Sequence, residues 1–206
     1  MSAQSPLQSP PVAPPGSKRV LGARDLALVA AFAALIAVLG LPGTIYAFGS
    51  SVPITLQTLG VMLAGSILGW KRGALAVIVF LVLVAAGLPL LAGGRGGLAV
   101  FAGASVGYLI GWVLGAAVIG LLVQARLPRY SIWWTGLANV VGGIGVVYLI
   151  GVPVLVLKLG TGFAALASAA WFLPGDVVKV VIATFVAAGV HRAYPQMLAP
   201  LRNRRP

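Results

Sequence analysis

The sequence predicts an all-α integral membrane protein of six transmembrane helices, and three observations predict it. Of the 206 residues, 60% are hydrophobic and 8% charged, with a mean hydropathy of +1.07; soluble domains run near about 45–50% apolar and about 25% charged. The apolar runs continue without the two-residue alternation of barrel strands. Their lengths lie near the roughly 20 residues a helix needs to cross a hydrocarbon core of about 30 Å, and six of them fit in one domain.

In chain order, residues 1–22 open with "MSAQSPLQSPPVAPPGS", which holds five prolines and no apolar run. This predicts a disordered cytoplasmic tail rather than a signal peptide, which needs a basic start and an apolar centre. A membrane domain follows over 23–194, with spans at 25–43, 54–70, 73–92, 101–124, 133–157 and 174–192. The stretch 158–173, "KLGTGFAALASAAWFL", reads as a loop with a short helix at the membrane surface, and 195–206 as a basic cytoplasmic tail.

Charge sets the orientation. With the N-terminus in the cytoplasm, eleven of the fourteen Lys and Arg residues fall inside and only Arg95, Lys158 and Lys179 outside. Cytoplasmic loops carry such an excess, and an odd number of spans would scatter it over both faces. Both termini are therefore expected in the cytoplasm, with Asp176 and Lys179 at the outer end of the last span.

Composition also excludes functions. Two acids, one histidine and no cysteine leave no thiolate ligand or disulfide and scarcely furnish a metal centre or an activated nucleophile, so no enzyme, metal or cofactor is expected. The net charge of +12 is spread singly or in pairs between apolar runs, without the basic face and stacking aromatics of a nucleic-acid binder. Rings of charge that would mark a channel are missing, as are the repeats and midplane ion-coupling residues of a self-powered carrier. A ligand-binding membrane subunit that takes its energy from elsewhere is what remains.

Its polar residues are few enough to weigh singly. Asp176 and Lys179 open the last span, "FLPGDVVKVVIATFVAAGV" (172–190). Asp176 reads equally as a helix cap after Pro174-Gly175, with Lys179 as its i,i+3 partner, and as a ligand acceptor, because ionisable groups in membrane segments usually line a cavity. Gln57, in "VPITLQTLG" (52–60), and Asn139, in "GLANVVGG" (136–143), are amides that suit either interhelical hydrogen bonds or a ligand with both donors and acceptors. Gly103, Gly107, Gly111 and Gly115 line one helix face for close packing. Alanines at 30 and 34, or at 27 and 31, repeat that spacing on the first span, for packing within the monomer or against a partner's helix; the Ala30/Ala34 register is preferred. The loop "GGRGG" (93–97) lacks the Lys-Ser/Thr of a phosphate loop, so its Arg95 is either a solvated turn residue or a gate that greets an anionic solute. His191 is expected to cap the last carbonyls of its own helix.

The run "VPITLQTLGVMLAGSILGWKRGALAVIVFLVLVAAGLPLLAGGRGGLAVFAGASVGYLIGW" (52–112), with "GVPVL" (151–155) and "LPGDVVKVVIA" (173–183), resembles the BioY family, the biotin-binding S components of energy-coupling-factor (ECF) vitamin transporters. The resemblance covers roughly residues 25–190 and leaves the tails unmatched. One departure is "GASVGYL" (103–109), where the family commonly has Gly-Pro-Thr or Gly-Pro-Ser before Gly-Tyr-Leu. It implies a six-helix S-component fold in a bacterial plasma membrane that captures biotin from outside, with a membrane T component and two cytosolic ATPases supplying transport. It further implies Asp176 and Lys179 as contacts to the ureido end of biotin, Gln57 and Tyr108 as further pocket residues, and Arg95 beside the valerate carboxylate. Asn139 joins the pocket by its polarity alone. Residues 44–53 would form an external lid, and the alanine face of the first span would meet the T component. An S component for another vitamin, a membrane enzyme that turns its ligand over, and a scaffold with no ligand are the competing readings.

Overall fold

The computed structural model describes residues 22–42, 55–160, 162, 170 and 172–198. The expected lid at 44–53, nearly all of both tails and most of 163–171 lie outside the described residues. The described chain is helical, with an isolated antiparallel bridge between Leu91 and Arg95. Helix α1 is Ala23–Val38; α2 is Gln57–Leu63, prolonged by a π-helical turn at Ala64–Leu68; α3 is Gly69–Ala85; α4 is Val106–Arg126; α5 is Ile132–Leu159, with a π stretch at Val140–Val146; α6 is Leu173–Ala193.

Among the described residues, four helical stretches are long and apolar enough to cross a membrane: Gln57–Ala85, Val106–Arg126, Ile132–Leu159 and Leu173–Ala193. The first is two rods rather than one. Gly69 has φ 79°, and a Cβ on Gly73 would lie 2.7 Å from the Ala64 carbonyl oxygen. On an unbroken helix those residues stand about 13 Å apart, so α3 folds back along α2 at the two predicted spans' junction beside Lys71 and Arg72. Helix α1, at 16 residues, stops before its predicted end at 43 because Gly40 and Pro42 follow. Helix α3 stops short of 92 for a similar reason: Gly87 has φ 106° and Pro89 follows.

Helix α4 is the central rod, packed against α3 and α5. Its glycine stripe is spent inside the monomer: Cβ atoms on Gly107 and Gly115 would fall 2.6 Å from Val154 Cβ and 2.7 Å from the Gly142 oxygen of α5. The alanines of α1 behave differently. Val29, Ala33 and Ile36 turn inward, whereas Ala27, Ala30, Ala31 and Ala34 are all exposed, so both candidate registers lie on the uncovered face.

The bundle has two chemically distinct ends. At one, Asp25 and Arg72 form a 2.9 Å ion pair and Arg72 also donates to the Met197 carbonyl at 2.8 Å, which ties α1, the α2–α3 turn and the C-terminal segment together. Both the first and the last described residues sit at this basic end, as an even number of rods requires. His191, expected to cap its own helix, instead contacts the Ser66 carbonyl oxygen through Nε2 at 2.8 Å and stacks on Tyr130. Ser66 lies in the final π turn of α2, where carbonyls lose their intrahelical partners, so the imidazole closes the end of a neighbouring helix.

Candidate ligand-binding site

The opposite end gathers Thr55, the start of α2, the 91–95 turn, the start of α4, Val147 and Tyr148 of α5, and the start of α6 around one cavity. Asp176 stands in the first turn of α6, where a negative charge is favoured by the helix dipole. Among the described residues its carboxylate nevertheless caps no backbone group. Oδ1 accepts from Lys179 Nζ at 2.9 Å and, at 3.5 Å, from the Thr58 hydroxyl; Oδ2 accepts from the Tyr148 hydroxyl at 2.6 Å. Both ionic side chains are buried, Asp176 at 4% exposure and Lys179 at 5%. The i,i+3 pairing expected from the sequence is thus present, but it faces the interior instead of the helix end.

Leu91, Leu109, Val147 and Phe172 supply the apolar wall, and Tyr108, Trp112 and Arg95 complete it. Arg95 is half-buried at the rim, its Nε donating to the Ala92 carbonyl at 3.3 Å. Asp176 and Lys179 cancel each other's charge, so Arg95 gives the cavity its net positive end. The open volume is about 60 Å³, against roughly 300–1,000 Å³ for ligand pockets generally, so side chains at the mouth have to yield to a ligand.

The two amides predicted for the site do other work. Gln57 lines the cavity wall, but its Nε2 donates to the Ile36 and Leu90 carbonyls at 3.2 and 3.0 Å, and its Oε1 accepts from Ala92 N at 3.1 Å. The side chain, 1% exposed, is a brace that holds the 90–92 turn against α1 and α2. Asn139 does not line the cavity. Its Oδ1 accepts from Ser66 Oγ at 2.8 Å and its Nδ2 donates to Thr184 Oγ1 at 3.2 Å, stitching α2, α5 and α6 together deeper in the bundle. An amide inside an apolar helix must satisfy itself on whatever neighbour the packing brings, and polarity alone cannot name that neighbour.

Sequence reasoning missed Tyr148, Thr58, Trp112 and Phe172. A signal existed for two of them: Trp112 follows Tyr108 by one helical turn, on the same face of α4, and a Tyr hydroxyl inside an apolar span has to find a partner.

Residues 11–196 match the model of the BioY family. The chain belongs to the BioY family. It is 45% identical over 188 residues to a biotin transporter BioY of Rhizobium etli, covering 87% of this chain and 99% of that one. A biotin transporter BioY of Rhodobacter capsulatus is 46% identical over 186 residues, covering 85% and 97%. Among solved structures, the crystal structure of an S-component for biotin from an ECF-type ABC transporter matches with a TM-score of 0.77 at 30% identity, over 82% of this chain and 91% of that one. In this BioY chain the "PGD..K" residues Asp176 and Lys179 and the "GYL" residue Tyr108 converge on one cavity, whereas "PITLQTLG" contributes its Gln57 as scaffold and its Thr58 as a partner of Asp176.

Proposed function

We propose that this chain is the biotin-binding S component of a bacterial vitamin-uptake transporter, a carrier subunit rather than an enzyme. One observation carries the reading: a buried, side-chain-satisfied Asp176–Lys179 pair set in the wall of a largely apolar cavity with few polar groups. Ionisable groups are costly within a membrane and are kept where they meet a ligand. Biotin offers ureido N–H donors, an apolar ring and chain, and one carboxylate. Asp176 Oδ2 retains acceptor capacity beside Tyr148 and takes a ureido N–H; Lys179 holds the carboxylate in place through its 2.9 Å contact with Oδ1. Leu91, Leu109 and Phe172 cover the ring, and Arg95 at the rim attracts the valerate carboxylate. The binding residues proposed are thus Asp176, Lys179, Tyr108 and Arg95, with Gln57 bracing the wall.

In this reading the cavity opens outward in the plasma membrane and both termini are cytoplasmic, which places the basic end inside. A membrane T component and two ATPases supply the energy, and the exposed Ala30/Ala34 face of α1 is where the T component docks. The small-residue spacing allows close helix approach.

Equilibrium binding of biotin and desthiobiotin to the purified, detergent-solubilised chain, with thiamine and riboflavin as controls, tests the assignment. Binding of the first two alone is expected. Capture of a control vitamin instead reassigns the ligand, chemical alteration of the bound molecule reinstates an enzyme, and no binding by a folded sample overturns the reading.

A further inference from the structure

Among the described residues, two polar atoms of the cavity wall have nothing to bond. Tyr108 Oη and Trp112 Nε1 are buried without a hydrogen-bond partner, on side chains 8% and 6% exposed, and both residues line the cavity that holds Asp176. In a membrane interior there is no bulk water to compensate a donor left unpaired, so such atoms are expected where a ligand completes them.

Their placement is specified by packing. One turn apart on α4, the two rings share a face. Gly151 of α5 makes room for one of them, since a Cβ there would lie 2.5 Å from Tyr108 Cδ1; Phe80 abuts the other, with Trp112 at 6.3 Å between ring centroids. Tyr108 meets Tyr148 edge-on at 6.2 Å, and Tyr148 is the residue bonded to Asp176 Oδ2. Tyr108 therefore stands toward the acid's end of the cavity, and Trp112 follows it one turn along the same face of α4.

The chemistry of the missing partner follows. An indole N–H only donates, a phenol can donate, and a carboxylate only accepts. Whatever docks at this end presents an acceptor toward α4 and a donor toward α6. A ligand carboxylate fails this requirement, because it carries no donor for Asp176 Oδ2. A ureido group meets it: a carbonyl oxygen with two lone pairs, flanked by N–H groups.

Resting on the biotin reading above, we infer that Tyr108 and Trp112 are specificity-determining donors that together take the ureido carbonyl of the ligand, while Asp176 takes the neighbouring N–H.

The experiment measures equilibrium binding of biotin, desthiobiotin and 2-iminobiotin, in which an imino N–H replaces the carbonyl oxygen, to the detergent-solubilised full chain and to Trp112→Phe and Tyr108→Phe. Both substitutions keep an aromatic ring and delete the donor. Each is expected to weaken biotin and desthiobiotin about three- to tenfold, the effect of one neutral hydrogen bond, and to shift the biotin-to-iminobiotin affinity ratio toward the imino ligand by a similar factor. Ring packing alone weakens all three ligands alike, so an unchanged ratio in both variants overturns the inference and leaves the biotin assignment standing. Failure of the folded wild-type chain to bind biotin overturns the assignment itself, and the inference with it.

Discussion

Removing the Asp176 carboxylate tests the proposed site through two separate quantities. In the Asp176→Ala variant the ligand loses a hydrogen bond to a charged acceptor, a loss of about 1.5–3 kcal/mol, or roughly ten- to hundredfold in affinity. The protein meanwhile keeps Lys179, a residue 5% exposed in the native chain whose ammonium sits 2.9 Å from the lost oxygen. In soluble proteins, stranding one member of a buried pair costs about 3–5 kcal/mol, more than the pair itself contributes. The single variant should therefore melt well below wild type. Adding Lys179→Met removes the stranded cation, so the double variant recovers part of the thermal stability but none of the biotin affinity. Titration calorimetry for affinity, paired with thermal melting in the same detergent, separates the two. Wild-type affinity in folded Asp176→Ala would remove the acid from the site. Identical melting of the single and double variants would show that Lys179 reaches water by extending its stem, and would sink the argument from a buried pair.

Two further outcomes follow from packing outside the cavity. Gly120→Ala drives a Cβ into the Trp70 nitrogen and the Gly69 carbonyl carbon, backbone that cannot step aside at the α2–α3 turn; a destabilisation of about 1–3 kcal/mol is expected by melting, with biotin affinity of the folded fraction unchanged. Asn139→Ala breaks the links to Ser66 and Thr184 and should lower stability by roughly 0.6–1.7 kcal/mol, the range measured for interhelical bonds in a membrane, again without loss of affinity. A tenfold loss of biotin binding in that variant would return Asn139 to the site.

Much of the cavity's lining was legible because its chemistry is local in sequence. Asp176 and Lys179 are three residues apart on one helix, and their pairing required only helical geometry. Tyr108 and Arg95 came from matching motif blocks, and both line the cavity. What each polar group bonds was not legible. Tyr148 reaches Asp176 from another helix, Gln57 braces segments 21 and 33 residues away, and His191 crosses 125 residues to Ser66. Each choice depends on which rods become neighbours.

The sequence by itself determined that the chain is a bundle of apolar helices, roughly where those helices run, and which family they form. Each of these rests on local composition: lipid demands about twenty apolar residues per crossing, and Gly or Pro marks where a helix ends. Only the tertiary structure decided which face of each helix turns inward. In a soluble helix the apolar stripe reveals the buried face, but lipid tails are as apolar as a protein core, so rods apolar all round carry no such stripe. The inward faces had to emerge from close packing at Gly107, Gly115 and Gly151, and with them the division of the polar residues into those that brace the bundle and those that wait in the cavity for a partner.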